Sequence, residues 1–356
     1  MPHDDRIPVD ALRAFAASVF RAAGSDVREA LLVGDHLVDA NLAGHDSHGV
    51  IRISKYLDWR AKGQVLANQH ASVVRESACH AVVDGQFGYG QVIGREAIDM
   101  AIGKARAGGL CALAIRNSGH LGRIGAWAEQ AAHAGLASVH FVNTSGFGIL
   151  VAPFGGSDRR LSANPIAAGA PTANGAPLIL DISTSAIAEG KIQVALNQGK
   201  ELPDGCTIDA DGKPNRDPAR FYGPPEGALL PIAGHKGHGL SVFCEILAGA
   251  LTGGQTTNRS NATAGRLVNN MMSMVFDPAA FCGADEFKAE VTRMAAWVKS
   301  SPPIAAGGEV LLPGELERRT RTERERNGVP IDAVTRRQIN DKVRPLGLEL
   351  PMEMPA

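Results

Sequence analysis

Apolar positions recur at helical spacing at both ends of the chain and change to short runs in the middle. Between residues 8 and 23, Val9, Leu12, Phe15, Val19 and Phe20 repeat every three or four positions, with Pro8 in the first turn. That pattern predicts an amphipathic helix. Val27, Leu31 and Leu37 line a second helix, which Ser25 can cap and Gly44 ends. A third, over 51–62, carries Ile53, Tyr56 and Leu57. The texture then shifts. Residues 72–75 and 81–84 read as two strands of a hairpin. A helix over 91–107 stops at Gly108-Gly109, and a strand over 110–115 follows. A helix over 121–134 stops at Gly135 before a strand over 136–142.

Farther on, 161–170 and 178–182 read as strands around a Thr-Ala-Asn-Gly-Ala turn, and 186–198 as a helix. Residues 199–235 are rich in Gly, Pro and Asp and poor in periodic apolar positions, so they read as a long surface excursion. A strongly apolar stretch over 240–251 predicts a buried helix, 272–277 a strand and 284–300 a helix. The charged run 315–326 reads as a solvated helix face, and Pro330 opens the last helical segment. The middle of the chain holds one strand–helix–strand alternation rather than a regular βα repeat. The fold class is mixed α/β, with helices from both termini packed as a bundle beside a central mixed sheet.

Composition narrows the classes. At 356 residues and a net charge of −1, the chain has no basic footprint for nucleic acid. No apolar run is long enough for a membrane span, and the polar, acidic start is unlike a signal peptide. The five cysteines are scattered, odd in number and without a C-x-x-C pair, which argues against a disulfide framework or a thiolate zinc site. A cytoplasmic location is expected. The 41 glycines point to tight turns and close backbone approaches.

The densest chemistry lies in Gly44-His45-Asp46-Ser47-His48-Gly49-Val50-Ile51-Arg52. His48 can move a proton near neutral pH, and Arg52 can hold a carboxylate with its two-pronged guanidinium. A helix starting near Gly49 would put both on one face. The plain alternative is a polar loop capping a helix. Asn117-Ser118-Gly119-His120-Leu121-Gly122 sets an imidazole just before a helix, where the helix dipole favours its neutral form. Leu180-Asp181-Ile182-Ser183-Thr184-Ser185 ends a strand with a carboxylate and three hydroxyls, as a histidine's partner or as a helix cap. Gly234-His235-Lys236-Gly237-His238 feeds a helix with backbone N–H groups and a lysine, which suits an anion.

The glycine run Gly85, Gly88, Gly90, Gly94 misses the dinucleotide spacing by one residue. It also lacks an acidic residue about 20 positions on, so it reads as a tight turn into a closely packed helix. His45/His48 and His235/His238 are both H-x-x-H pairs. They leave open a metal-dependent hydrolase or lyase, although no metal ligand is assigned.

Taken in order, residues 44–52, Ser118-Gly119-His120-Leu121-Gly122, Asn164-Pro165, 180–185, Lys236-Gly237 and Pro313-Gly314-Glu315 resemble the malate/L-lactate/ureidoglycolate dehydrogenase family. The match runs over nearly the whole chain. The resemblance implies a non-Rossmann, NAD- or NADP-dependent oxidoreductase of small 2-hydroxy and 2-oxo acids, or a reductase of a cyclic imino acid. It implies a helical substrate part over 1–70, a mixed-sheet NAD(P)-binding part over 71–300, and a C-terminal segment over 301–356 that packs back on the first. A homodimer with its active site near the interface is expected, with a small carboxylate substrate. By resemblance, His48 is the general acid/base with Ser47 beside it, Arg52 binds the substrate, and Asp181 partners the histidine. His120 contacts the nicotinamide side or itself carries the proton. Ser162, Asn164, Asp181, Ser183, Lys236, Gly237, Gly314 and Glu315 match cofactor-contacting positions. The chain departs from the family pattern at Ser162-Ala163, His238 and Arg123, and a protein that kept the fold but lost the chemistry is the non-enzymatic alternative.

Overall fold

The computed structural model describes residues 5–258, 260, 265–305 and 307–351. Residues 1–4, 259, 261–264, 306 and 352–356, all within the three segments expected above, lie outside the described residues. The chain opens with strand β1 (Asp5–Ile7) and helices α1 (Val9–Ala22), α2 (Val27–Leu42) and α3 (Arg52–Ala61). Strands β2 (Ser72–Glu76) and β3 (His80–Asp84) form the expected hairpin. Then come α4 (Gly90–Gly108), β4 (Leu110–Ser118), α5 (Gly125–His133), β5 (Ala137–Gly146), β6 (Ile166–Ala170), β7 (Leu178–Ile182) and α6 (Glu189–Gln198). Short strands β8 (Thr207–Ile208), β9 (Pro214–Asn215) and β10 (Ala228–Leu229) surround α7 (Pro218–Tyr222). Helix α8 (His235–Cys244) runs into a π-helical turn (Glu245–Ala250), followed by β11 (Leu267–Phe276) and α9 (Ala284–Lys299). Helix α10 (Glu315–Asn327), β12 (Val329–Ile331) and α11 (Ala333–Val343) complete the chain.

Seven strands make an open mixed sheet in the order β2-β3-β4-β11-β5-β6-β7. Within it, among the described residues, only β3–β4 is parallel, the two strands being joined through α4. One face is covered by α4 and α5, whose Ala97, Ile98, Ala101 and Ala128 pack with Leu113, Ile115, Met271 and Val275. A second core joins the chain ends: Leu12, Phe20, Leu37, Ile53 and Tyr56 bury with Val329, Ile331, Ile339 and Val343. Burying each large apolar side chain contributes roughly 1.5–3 kcal/mol, so this shared core holds the two termini together. β1 pairs with β12 across the same join.

Several expectations change. Asp26, not Ser25, caps α2 by accepting from Glu29 N; the Ser25 hydroxyl instead donates to the Glu29 carboxylate at 2.6 Å. Helix α5 starts at Gly125 rather than 121, so His120 lies in the connection before it and not in a helix's first turn. The strand expected over 161–170 begins only at Ile166, because Asn164 has φ 34° and Pro165 has no N–H to offer a ladder. The excursion over 199–235 holds the β10-β8-β9 sheet and α7, and Leu202, Phe221 and Leu229 join Val151, Leu161 and Ile192 in a core of their own. The stretch 240–251 is helical but not buried throughout: Leu240, Phe243, Ile246 and Leu251 face outward. Pro330 lies in β12 opposite Arg6, and Asp332 caps the helix that follows.

Candidate active site

The turn after α2 is built by side chains. Asn41 Oδ1 accepts from Val50 N at 2.8 Å, and Asn41 Nδ2 donates to Asp46 Oδ1 at 2.6 Å. Arg324 of α10 ion-pairs with Asp46 from the opposite side. The short 3-10 turn Asp46–His48 is thereby fixed, and α3 starts only at Arg52. His48 and Arg52 are therefore not on one continuous helix. They are joined another way: Arg52 Nε donates to the Ser47 carbonyl at 2.6 Å. That leaves the Nη end of Arg52 without a hydrogen bond or ion pair among the described residues.

His48 Nδ1 lies 3.0 Å from the Ser47 hydroxyl. The His48 ring stacks on His120, with centroids 5.4 Å apart and planes at 18°. His120 Nδ1 meets the Tyr56 hydroxyl at 2.7 Å, and Gln91 Nε2 donates to the Tyr56 oxygen at 2.8 Å. Trp59 closes one side, 6.4 Å from the His120 ring. Gly90 permits this approach: a Cβ there would lie 2.3 Å from the His120 carbonyl oxygen. Gly190, in the first turn of α6, does the same on the other side, where a Cβ would come within 2.7 Å of Ser47 Cβ. Burial first, then the Arg52 charge, holds both imidazoles well below their usual range. The site presents two neutral, stacked rings beside a free guanidinium.

Asp181 lies elsewhere. Its Oδ2 accepts from Gly125 N at 2.8 Å, and its charged neighbours are His45, Arg123 and Glu129. No hydrogen bond or ion pair joins it to His48 among the described residues, so the structure does not bring the two expected partners together within one chain. Burial pushes its carboxyl up, against the pull of His45 and Arg123. Arg123 is buried, 2% exposed, and pairs with Glu129.

A third group forms beyond β7. Ser183 and Thr184 hydroxyls donate to the Ala163 carbonyl at 3.1 and 2.9 Å, rather than capping α6. This ties Ser183 to the Ser162-Ala163-Asn164 segment. Ile232 N donates to Thr184 O at 2.9 Å, which brings in the loop carrying Lys236 and Gly237. Lys236 is exposed at the start of α8 and has no ion-pair partner among the described residues. Asn164 Nδ2 donates to Glu245 at 2.7 Å, but Asn164 Oδ1 is buried without a hydrogen-bond partner among the described residues. An unmet acceptor, hydroxyls and a free cation fit the amide, ribose and phosphate groups of a nicotinamide dinucleotide. Gly314 caps α10 beside Ile179 of β7. Glu315 pairs with Lys299, which holds its carboxyl below the usual range.

The H-x-x-H residues face different partners. His45 meets Glu317 at 3.4 Å and His235 packs edge-on against Phe154. Among the described residues no group of three or more His, Cys, Asp or Glu is arranged to hold a metal ion. Sequence reasoning missed Tyr56, which it read as an apolar position of the 51–62 helix, and Gln91, which it read only as the start of the 91–107 helix. Their signal was weak: Tyr56 follows Arg52 by four positions, and Gln91 is a lone amide entering an apolar helix. It also missed Glu245, a buried carboxylate that takes hydrogen bonds from Asn143, Asn164 and Thr257.

Fold and site together describe a non-Rossmann α/β protein in which two stacked imidazoles lie near a guanidinium with an uncommitted Nη end. Residues 7–340 match the family model described as malate/L-lactate dehydrogenase, and the chain belongs to that family. It is 43% identical over 350 residues to hydroxycarboxylate dehydrogenase B of Escherichia coli, covering 98% of this chain and 96% of the relative. The malate dehydrogenase structure from Entamoeba histolytica superposes with TM-score 0.91 at 27% identity, covering 98% and 99% of the two chains. The delta1-piperideine-2-carboxylate reductase from Pseudomonas syringae superposes with TM-score 0.83 at 30% identity, covering 95% and 99%. The first two of these relatives are named as dehydrogenases of 2-hydroxy acids and the third as a reductase, and the chain is an oxidoreductase of the malate/L-lactate dehydrogenase family. No helix among the described residues is long and apolar enough to cross a membrane.

Proposed function

We propose that the chain interconverts a small 2-hydroxy acid and its 2-oxo acid with NAD or NADP. One observation carries this reading: the uncommitted Nη end of Arg52 stands beside the stacked His48–His120 pair, whose centroids are 5.4 Å apart. Arg52 grips the substrate carboxylate and fixes its orientation. His48 exchanges a proton with the substrate oxygen, steadied by Ser47, and His120 faces the same oxygen. Ser162, Asn164, Ser183, Lys236, Gly237, Gly314 and Glu315 hold the dinucleotide. Bound nicotinamide supplies or accepts the hydride. Asp181 acts at one remove, by anchoring Gly125 and balancing the Arg123 charge near the cofactor side.

We further propose a cytoplasmic homodimer with its active site near the interface; the exposed apolar side chains Leu240, Phe243, Ile246 and Leu251 support a covered face. Residues 1–70 and 301–356 would form the substrate part and 71–300 the nucleotide part, in line with the core shared by the chain ends. Reduction of a cyclic imino acid is the second reading, favoured by the likeness to the Pseudomonas syringae reductase.

A panel of 2-oxo acids and cyclic imines, each with NADH and NADPH, tests both readings through the loss of reduced-cofactor absorbance. Turnover of 2-oxo acids supports the first, and turnover of imines alone transfers the assignment to the second. Loss of activity with a chelator would instead support metal chemistry at the H-x-x-H loops.

A further inference from the structure

We infer that Tyr56 and Gln91 are positioning residues that fix His120 as its Nε2–H tautomer, making His120 a permanent hydrogen-bond donor and leaving proton exchange to His48. The second half rests on the dehydrogenase reading above; the tautomer itself does not.

Gln91 Nε2 lies 2.8 Å from the Tyr56 oxygen and 3.2 Å from the His120 carbonyl oxygen. A carbonyl only accepts, so the nitrogen end of the amide must face it; the flipped amide would press two acceptor oxygens together. The Gln91 N–H then occupies a lone pair of the Tyr56 oxygen. Tyr56 has one proton left to place, and His120 Nδ1 is 2.7 Å away. Nδ1 therefore accepts, and the ring proton sits on Nε2. Burial pushes the Tyr56 phenol up to about 12, so it keeps that proton at neutral pH.

A second proton on His120 is resisted from every side. Arg52 and Lys55 face it from α3, His48 from the 46–48 turn and His36 from α2, and none of these is a carboxylate. Tyr56 and Gln91 fill the remaining polar contacts. His48 has the same positive surroundings, with Arg52, His45, His36 and Arg123 facing it. The two rings differ in their hydrogen bonds: among the described residues His48 Nδ1 meets the Ser47 hydroxyl, which rotates to donate or to accept. His48 can thus hold either protonation state while His120 holds one. Two rings this close do not both carry charge, and the Tyr56–Gln91 contacts decide which one stays neutral. In the direction of oxidation the neutral His48 takes the proton of the substrate hydroxyl as the hydride leaves for the nicotinamide, and in reduction it returns that proton to the substrate oxygen. His120 keeps its Nε2 proton and donates a hydrogen bond throughout.

Nitrogen NMR on the free protein, with 15N-labelled histidine and His120 assigned by its loss in His120→Gln, reads the tautomer without substrate or cofactor. The expected spectrum has His120 Nδ1 unprotonated and Nε2 protonated from about pH 5 to about pH 8. A His120 protonated at Nδ1 overturns the inference, whatever the substrate panel finds. In Tyr56→Phe and Gln91→Leu the His120 signals should move toward a tautomer mixture. On a 2-oxo acid that the wild type turns over, kcat should fall about tenfold with KM within about twofold, and the acid limb of the pH profile should shift. Unaltered signals and an unaltered pH profile in both variants also overturn it. If Tyr56→Phe fails to fold, Gln91→Leu and the wild-type spectrum decide.

Discussion

Two pairs of histidines in this chain, His36 and His140 buried, His48 and His120 half-buried, share a depressed pKa and differ in what their nitrogens touch. Burial brings His36 and His140 down to about 3, and it drives His48 and His120 well below their usual range too. His140 is closed on both sides, 2.8 Å from the Ser273 hydroxyl and 2.9 Å from that of Ser138. His36 accepts from Arg123 N at 3.0 Å and stacks on Trp127. His48 and His120 each meet one protein group through Nδ1, and their Nε2 atoms have no hydrogen bond among the described residues. A shifted pKa therefore marks burial. A ring nitrogen left open beside an unpaired guanidinium marks a site.

The sharpest break of this comparison is to remove one ring from each pair. His48→Ala should lower kcat by about 10²–10⁴-fold, the usual worth of a placed proton donor, with little change in thermal stability. His140→Ala should do the reverse. It strands the Ser138 and Ser273 hydroxyls in the core, at a cost of about 1–3 kcal/mol, and leaves the turnover of the folded fraction unchanged. Steady-state rates beside thermal melts read both. A near-wild-type rate for His48→Ala would pass the proton to His120 and dissolve the distinction drawn between the two rings of the site.

The guanidinium half of the comparison gives a smaller effect. Arg52→Lys keeps the charge but loses the fork, and with Nε gone the anchor to the Ser47 carbonyl also goes. A loss of roughly tenfold to a hundredfold in kcat/KM is expected, through substrate orientation. An unchanged KM and kcat would place the carboxylate somewhere other than Arg52.

Local patterns made the terminal helices, the hairpin and the helix α4 legible, because each is an apolar stripe bounded by its own cap or glycine. Strand β11 was legible only in its second half. Its first half runs through Asn269 and Asn270, which are buried because Leu121 N, Asn117 N and Asn143 meet their side chains. No periodicity signals that kind of long-range satisfaction. Of the residues the resemblance names, the structure brings Ser47, His48, Arg52 and His120 into one place and sets Asp181 apart, hydrogen-bonded to Gly125. Tyr56 was hidden for a related reason. A tyrosine at a core position reads as packing, and only coordinates show where its hydroxyl points.

Acid stability reads all four depressed histidines together and has the smallest expected signal for any one of them. A histidine held near a pKa of 3 in the fold but free at about 6.5 when unfolded takes up its proton only on unfolding. Unfolded protein then binds more protons, so stability falls as pH drops below about 6.5, by about 1.4 kcal/mol per pH unit for each such histidine, until the folded group titrates near 3. Glu29 and Asp181, raised by burial, oppose this at the lower end, since the fold takes their protons first. A single variant separates the terms. His140→Gln retains a donor and an acceptor for Ser138 and Ser273 but does not titrate. Denaturant midpoints from about pH 6 to about pH 4 should give it a slope shallower than wild type by one proton. Identical slopes would mean that His140 takes up its proton in the folded state, and that the two serine hydroxyls do not hold it neutral.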